Sequence, residues 1–226
     1  MTRPPSAQAL AKLLAHRNEH PERLYEIDQQ IRERFEQTHA LLVLDMCGFS
    51  RLTVKYGIIH YLAMIQRMQR VVLPLVTKAG GRVLKTEADN VFAVFPDVPQ
   101  ALGVALAATD ELEQSNLVMP RDWDVHVSVG IGYGPLLMVG EHDAFGSEMN
   151  LASKLGEDMA KAEQVLLTEA AWARMGAKKR AFVSRMARIS GMRFPYYEHK
   201  RDKGQAKSTS ARPSKTKSKS KRKTRA

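Results

Sequence analysis

Asp45 closes an almost wholly apolar run at residues 40–46, and Asp89 sits between two shorter apolar runs at residues 83–86 and 91–95. One carboxylate at a strand end caps a helix or turn as readily as it binds anything. Two carboxylates carried to one edge of a sheet repel each other unless a cation lies between them, and hard oxygen ligands of this kind suit Mg²⁺ or Mn²⁺. A third carboxylate, Asp143, lies in a loop with Phe145 and Gly146. Beyond it Asn150 and Lys154 are four residues apart, on one face of a helix that begins near Ser147. An amide and an ammonium on one face can orient a polyanion, or simply meet solvent.

The elements that must position these groups follow from periodicity. Residues 6–37 read as helix, with Leu24, Ile27, Ile31 and Phe35 at three- and four-residue spacing and a break at Pro21. Residues 40–46 form a strand of the kind buried on both faces. Ser50 is placed to cap a long helix through Ala79, with Pro74 inside it and Gly80 and Gly81 closing it. The runs at 83–86 and 91–95 form a hairpin with an acidic turn, and Asp97 starts a helix to about Ser115. Two strands are expected at 125–133 and 135–139, with Gly130, Gly132 and Gly134 as strand-end and turn glycines. Helix at 147–159, strand at 165–168, a short helix at 169–175 and closing strands within 182–198 complete the pattern. Hairpins interrupt an alternation of strands and helices, which predicts an α+β sandwich: one mainly antiparallel sheet covered by helices.

The chain of 226 residues carries a formal charge of +11, but residues 200–226 hold 12 of the 35 Lys+Arg and a single acid, Asp202. The foldable part is therefore neutral, and a basic globular surface is not implied. The tail lacks the apolar residues a core needs; it reads as disordered, either solubilising or contacting nucleic acid or an anionic membrane surface through salt-sensitive charge pairs. Cys47, the single cysteine, excludes an internal disulfide and a multi-cysteine zinc site, so cytoplasm is the expected compartment. No apolar stretch approaches the ~20 residues of a transmembrane segment.

In combination the runs ALLVLDMCGFSRL, GGRVLKTEADNVFAVF, VSVGIGYGPLLMVG and DAFGSEMNLASKL resemble, in order and spacing, the signature segments of the class III nucleotidyl cyclase catalytic domain. The resemblance covers residues 40–199, leaving 1–39 as a helical extension and 200–226 as the basic tail. It implies a ferredoxin-like α+β fold and a head-to-tail homodimer with active sites at the interface. The implied reaction converts ATP to 3′,5′-cyclic AMP and pyrophosphate, with two Mg²⁺ or Mn²⁺ per site.

Carried over position by position, the resemblance makes Asp45, Asp89 and the Met46 carbonyl metal ligands. The amides of Cys47, Gly48, Phe49 and Ser50 then face the β- and γ-phosphates. Lys85 and Asp143 match the pair that reads adenine, and Asn150 matches the residue that orients the ribose. Lys154 stands where the family usually has an arginine that stabilises the transition state. Lysine keeps the charge but loses the planar fork, and this departure keeps a second reading open: a catalytically weak or silent homologue that binds nucleotide or a partner. A cyclase for another nucleoside triphosphate is the third. Arg188 and Arg193 are both candidates for a late phosphate-binding cation.

Overall fold

The computed structural model describes residues 5–189 and 191–201; the basic tail beyond Arg201 lies outside the described residues. Two helices come first, α1 (Ala7–Glu19) and α2 (Leu24–Phe35), joined by a single turn at Pro21–Arg23. Strand β1 (Glu36–Met46) follows α2 directly, four residues earlier than the apolar run announces, because its first residues pair with β4 along an edge that needs no apolar side chains. Then come α3 (Phe49–Tyr56), α4 (Ile58–Lys78), the hairpin β2 (Arg82–Glu87) and β3 (Asn90–Phe95), and α5 (Val98–Leu117), whose start is fixed by the Asp97 capping box. The second half holds β4 (Val127–Val139), β5 (Asp143–Phe145), α6 (Ser147–Ser153) with a π-helical continuation at Lys154–Met159, β6 (Val165–Thr168), α7 (Glu169–Ala173), β7 (Phe182–Ile189) and β8 (Met192–His199).

The strands make one sheet in the order β2-β3-β1-β4-β6-β8-β7, with β5 paired to β4. Every pairing is antiparallel except β4 with β6. The expected α+β sandwich is thus the observed fold. Among the described residues, no helix is long and apolar enough to cross a membrane.

Strand parity decides what faces what. Ala40, Leu42, Leu44 and Met46 of β1 join Val72, Ala105, Leu112 and Val129 in the larger core, under α4 and α5. Leu41 and Val43 face the other way and pack with Phe92, Met149 and Ala152, under α6. Asp45 continues the Leu41–Val43 series, so its carboxylate belongs to the α6 side. On the β4 side, Leu10, Ile27, Ile31 and Phe35 of the first two helices enclose Val139 in a third cluster.

Three local expectations change. The strands expected at 125–133 and 135–139 are one continuous β4, paired residue by residue with β1 from Val127 to Leu137. Gly130, Gly132 and Gly134 are therefore mid-strand, and their role is clearance. A Cβ on Gly130 would lie 2.0 Å from the Ala152 carbonyl oxygen, and one on Gly156 would lie 2.9 Å from the Val43 carbonyl oxygen. Two glycines facing each other let α6 and its π-helical extension lie directly on the backbone of β1 and β4. The long helix expected from Ser50 is broken at Gly57 (φ 83°) into α3 and α4, and Gly48, not Ser50, occupies the N-cap of α3.

Gly130→Ala is expected to force α6 off the sheet and destabilise the fold by about 1–3 kcal/mol, seen as a lower thermal midpoint. Gly103→Ala, where an added Cβ meets nothing within 4 Å, is the matched control and should leave the midpoint unchanged or raise it.

Candidate active site

At the end of β1 the chain turns sharply. The Cys47 amide donates to the His126 carbonyl oxygen at 2.8 Å, and Gly48 takes a left-handed conformation (φ 93°) that a side chain would strain. Helix α3 starts immediately after, and the side chains of residues 49–52 lie outside the described set. Because the Cys47 amide is committed to His126, the amides of this turn open to an anion begin at Gly48. The Cys47 thiol donates to Ser128 Oγ at 3.5 Å, and burial together with the Asp45 charge holds its pKa up. It fills the turn as a protonated thiol.

Asp45 is the most perturbed carboxyl of this region. Burial, then the Asp89 charge, then Glu157, push its pKa up to about 7, against the opposing Met46 backbone hydrogen bond. Burial, a hydrogen bond with Asp89 and the charges of Asp89 and Asp45 also drive the Tyr61 hydroxyl pKa upward. Glu157 is raised as well, first by burial and further by Asp158. The β2–β3 turn and the π-helical segment thus bring carboxylates towards Asp45 from two directions. The carboxylates of Asp45 and Asp89 and the Met46 carbonyl are hard oxygen donors, so the residues present fit Mg²⁺ or Mn²⁺.

Lys85 and Asp143 meet. A bulge between Val83 and Lys85 shifts the β2–β3 register and sets Lys85 opposite Phe92, on the α6 face. Its Nζ lies 3.4 Å from Asp143 Oδ1, 2.8 Å from Glu87 Oε1 and 5.2 Å from the Phe92 ring centroid. The hydrogen bond to Glu87, followed by burial acting the other way and the Asp143 charge, leaves the lysine pKa raised. Asp143 is not in a loop: it begins β5, opposite Val139 of β4, and its Oδ1 also accepts from the Ala144 amide at 3.0 Å. Two strands that are remote in sequence therefore hold a donor and an acceptor side by side.

Asn150 and Lys154 are one helical turn apart, as their spacing predicts; the Lys154 amide donates to the Asn150 carbonyl. The face is anchored from beneath, where Glu148 accepts from the Tyr133 amide (3.1 Å) and from Thr168 Oγ1 (2.7 Å). Asn150 is exposed. Lys154, at the α-to-π junction, does not project free: its Nζ is 2.6 Å from Asp158 Oδ2, with both side chains about half exposed. Asp158 also acts on Asp45, so the lysine's partner links the two groups of site residues.

No protein-family model matches the chain. It is 30% identical over 116 residues to "Putative adenylate cyclase 3" of Rhizobium meliloti (strain 1021), which spans 51% of this chain and 20% of that protein. It is 28% identical over 123 residues to "Adenylate cyclase" of Streptomyces coelicolor, spanning 54% of this chain and 30% of that protein. The match thus takes in less than a third of either relative's length. In three dimensions it superimposes on the adenylate/guanylate cyclase/hydrolase of Silicibacter pomeroyi with a TM-score of 0.63 and 21% identity, covering 74% of this chain and 98% of that one. The chain is thus similar in sequence to proteins named adenylate cyclases and shares the fold of a solved adenylate/guanylate cyclase/hydrolase.

Four further residues of this region escape sequence reading. Glu87 lay inside the acidic hairpin turn, unmarked among its neighbours. Glu157 and Asp158 follow Lys154 by three and four residues, the spacing of a helical ion pair. Tyr61 sits at helical spacing with Ile65 and Met68, so it reads as core, and at 1% exposure it is core apart from its hydroxyl.

The Asp45 shift has a sign that can be tested. With the folded carboxyl pushed up to about 7 from its ordinary value of 3.8, the folded chain holds, between those two pH values, a proton that the unfolded chain has released. The associated stability is complete below about pH 4 and lost as the pH rises through about 7. In EDTA at pH 8, Asp45→Asn is expected to melt higher than wild type, and the two should converge at pH 4. Adding Mn²⁺ at pH 8 should raise the wild-type midpoint and leave that of Asp45→Asn in place. Equal midpoints at pH 8 in EDTA would show that the carboxylates are not in conflict.

Proposed function

We propose that the protein is an adenylate cyclase that converts ATP to 3′,5′-cyclic AMP and pyrophosphate at sites shared across a homodimer. The observation that supports this reading is the half-buried Asp45 at the end of β1, whose pKa is pushed up first by burial and then by the Asp89 charge, beside the turn that carries Asp89. Asp45, Asp89 and the Met46 carbonyl would hold two Mg²⁺ or Mn²⁺, which when bound supply activation of the ribose 3′-hydroxyl and neutralisation of the departing pyrophosphate.

The remaining residues orient and stabilise. The turn amides from Gly48 into α3 offer N–H donors, at the positive end of the helix, to the β- and γ-phosphates. Lys85 donates to an adenine ring nitrogen and Asp143 accepts from the exocyclic amine, a pairing supported by their 3.4 Å contact. Guanine would turn a carbonyl towards the Asp143 carboxylate, leaving both acceptors unpaired, and a site built this way discriminates strongly. Asn150 holds the ribose so that its 3′-oxygen lies in line with the bond from the α-phosphorus to its leaving oxygen. As the new P–O bond forms and the old one breaks, Lys154 stabilises charge on the phosphates, and the 3′-hydroxyl proton leaves to water or to a substrate phosphate. In the shared site the metal-holding aspartates belong to one protomer, and Lys85, Asp143, Asn150 and Lys154 to the other.

One observation favours the second reading, a weak or silent homologue: the Lys154 ammonium is bound to Asp158 at 2.6 Å. For turnover the lysine must exchange this carboxylate for phosphate oxygens. Lys154→Ala is then expected to lower kcat by about 10²–10³ with little change in KM, while Lys154→Arg retains activity. A wild-type rate for Lys154→Ala would remove the lysine from the mechanism.

Mixing tests the shared site. Asp45→Ala and Asn150→Ala proteins, each inactive, should together recover up to about a quarter of wild-type activity, because a random mixture is half heterodimer and each heterodimer has one intact site. No recovery despite demonstrated subunit exchange would contradict the shared site. GTP turnover equal to that of ATP would contradict the base assignment.

A further inference from the structure

Away from the carboxylates of β1, the last turn of α1 presents His16, Glu19 and His20. The two histidines are one helical turn apart and Glu19 is three residues from His16, so all three project from one side of the helix. The imidazole centroids are 4.5 Å apart with the ring planes inclined at 59°. One ligand atom from each of the three side chains lies within 4.8 Å of the others. Among the described residues this is the one cluster of three or more His, Cys, Asp or Glu side chains close enough to share an ion. We propose that His16, Glu19 and His20 form a binding site for a borderline transition-metal ion of the Zn²⁺ class, separate from the oxygen-ligand site at Asp45 and Asp89.

The chemistry of the donors sets the class of ion. Two imidazoles and a carboxylate suit Zn²⁺, Co²⁺ or Ni²⁺, whereas Mg²⁺ and Mn²⁺ prefer sites made of oxygen. Histidines four apart on a helix chelate one ion without moving the backbone, and three protein ligands leave one tetrahedral position for water. A supporting carboxylate is in place. Glu22, in the turn that follows, lies with Oε1 3.1 Å from His20 Nδ1. A hydrogen bond there keeps the proton on Nδ1 and leaves Nε2 with its lone pair for the metal, the usual outer arrangement of a ligating histidine. The two arginines next to the cluster in sequence are already paired, Arg17 with Asp28 (2.5 Å) and Arg23 with Glu26 (2.8 Å).

The position gives the ion a mechanical consequence. His20 is the C-cap of α1 and Pro21 starts the turn into α2, so an ion held by this set fastens the end of α1 ahead of the turn. The same hairpin packs on β4 through Leu10, Ile27 and Ile31. Leu10 and Leu14 line a cavity of about 560 Å³ that Asp143 and Phe145 complete. Occupancy would therefore stiffen the wall beside the strand that carries Asp143.

The test uses the full chain without an affinity tag, with Mn²⁺ in excess to fill oxygen-ligand sites. Titration of Zn²⁺ against a chromogenic chelator is expected to show one tight equivalent per chain, and Co²⁺ should give the visible absorption of a low-coordinate nitrogen–oxygen site. His16→Ala and His20→Ala should each weaken that equivalent at least tenfold, Glu19→Gln should weaken it less, and Asp45→Asn should retain it. All three side chains are at least partly exposed, so these variants fold, and circular dichroism would verify it. Zn²⁺ affinity and stoichiometry unchanged in the His16→Ala/His20→Ala double variant would overturn the proposal, as would wild-type protein that binds Zn²⁺ no tighter than millimolar.

Discussion

Negative charge held against negative charge at the end of an apolar sheet is the constraint on which the rest of this structure turns. A folded chain can lower the cost of one buried carboxylate by protonating it or pairing it with a lysine. Here Asp45 faces Asp89 and Glu157, and the two lysines of the region are engaged elsewhere, Lys85 with Glu87 and Asp143 and Lys154 with Asp158. Each lysine is paired with a carboxylate other than Asp45. That distribution leaves room for an exogenous divalent ion and keeps ammonium groups available for the charges of a phosphorylated substrate.

Backbone packing makes the arrangement possible. Asp45 lies on the α6 side because β1 alternates, and α6 reaches the sheet because Gly130 and Gly156 have no side chains between them. The same close approach delivers Glu157 and Asp158 to the neighbourhood of Asp45 and holds Asn150 and Lys154 at the surface above. The π-helical turn that starts at Lys154 belongs to this geometry: it widens the helix where the chain crosses β1 and β4. Stability and site geometry thus rest on the same few atoms. A change at a glycine far from any reacting group should be felt in both.

Much of this was legible in the sequence, for definite reasons. The apolar run ending in Asp45, the hairpin around Asp89 and the helix carrying Asn150 and Lys154 each have a period that allows one reading, and their order resembles a known domain. Asp143 stands out as a carboxylate on its own, but Lys85 and its pairing with Asp143 can be named only through that resemblance, since nothing local shows that β2 and β5 meet or that a bulge turns Lys85 onto the α6 face. The glycines of β4 do not declare their role in the sequence, because glycine marks turns and close approaches alike and only the facing helix distinguishes them. Gly134 suggests a break in the single long strand for the same reason. The Lys154–Asp158 pair was visible at helical spacing, but its electrostatic reach to Asp45 depends on the fold.

The first two helices give the domain a further dimension. They are built into the β4 side of the fold through Leu10, Ile27, Ile31 and Phe35, next to the strand that carries Asp143. The site proposed for ATP thus has a wall that the cyclase signature segments do not include. The central claim remains the in-line cyclisation of ATP at the Asp45–Asp89 site, and ³¹P NMR of ATP turned over with Mn²⁺ tests it most directly. The account predicts equimolar 3′,5′-cyclic AMP and pyrophosphate from the wild-type protein and neither from Asp45→Asn. Release of orthophosphate with ADP, or of pyrophosphate with linear AMP, would contradict it.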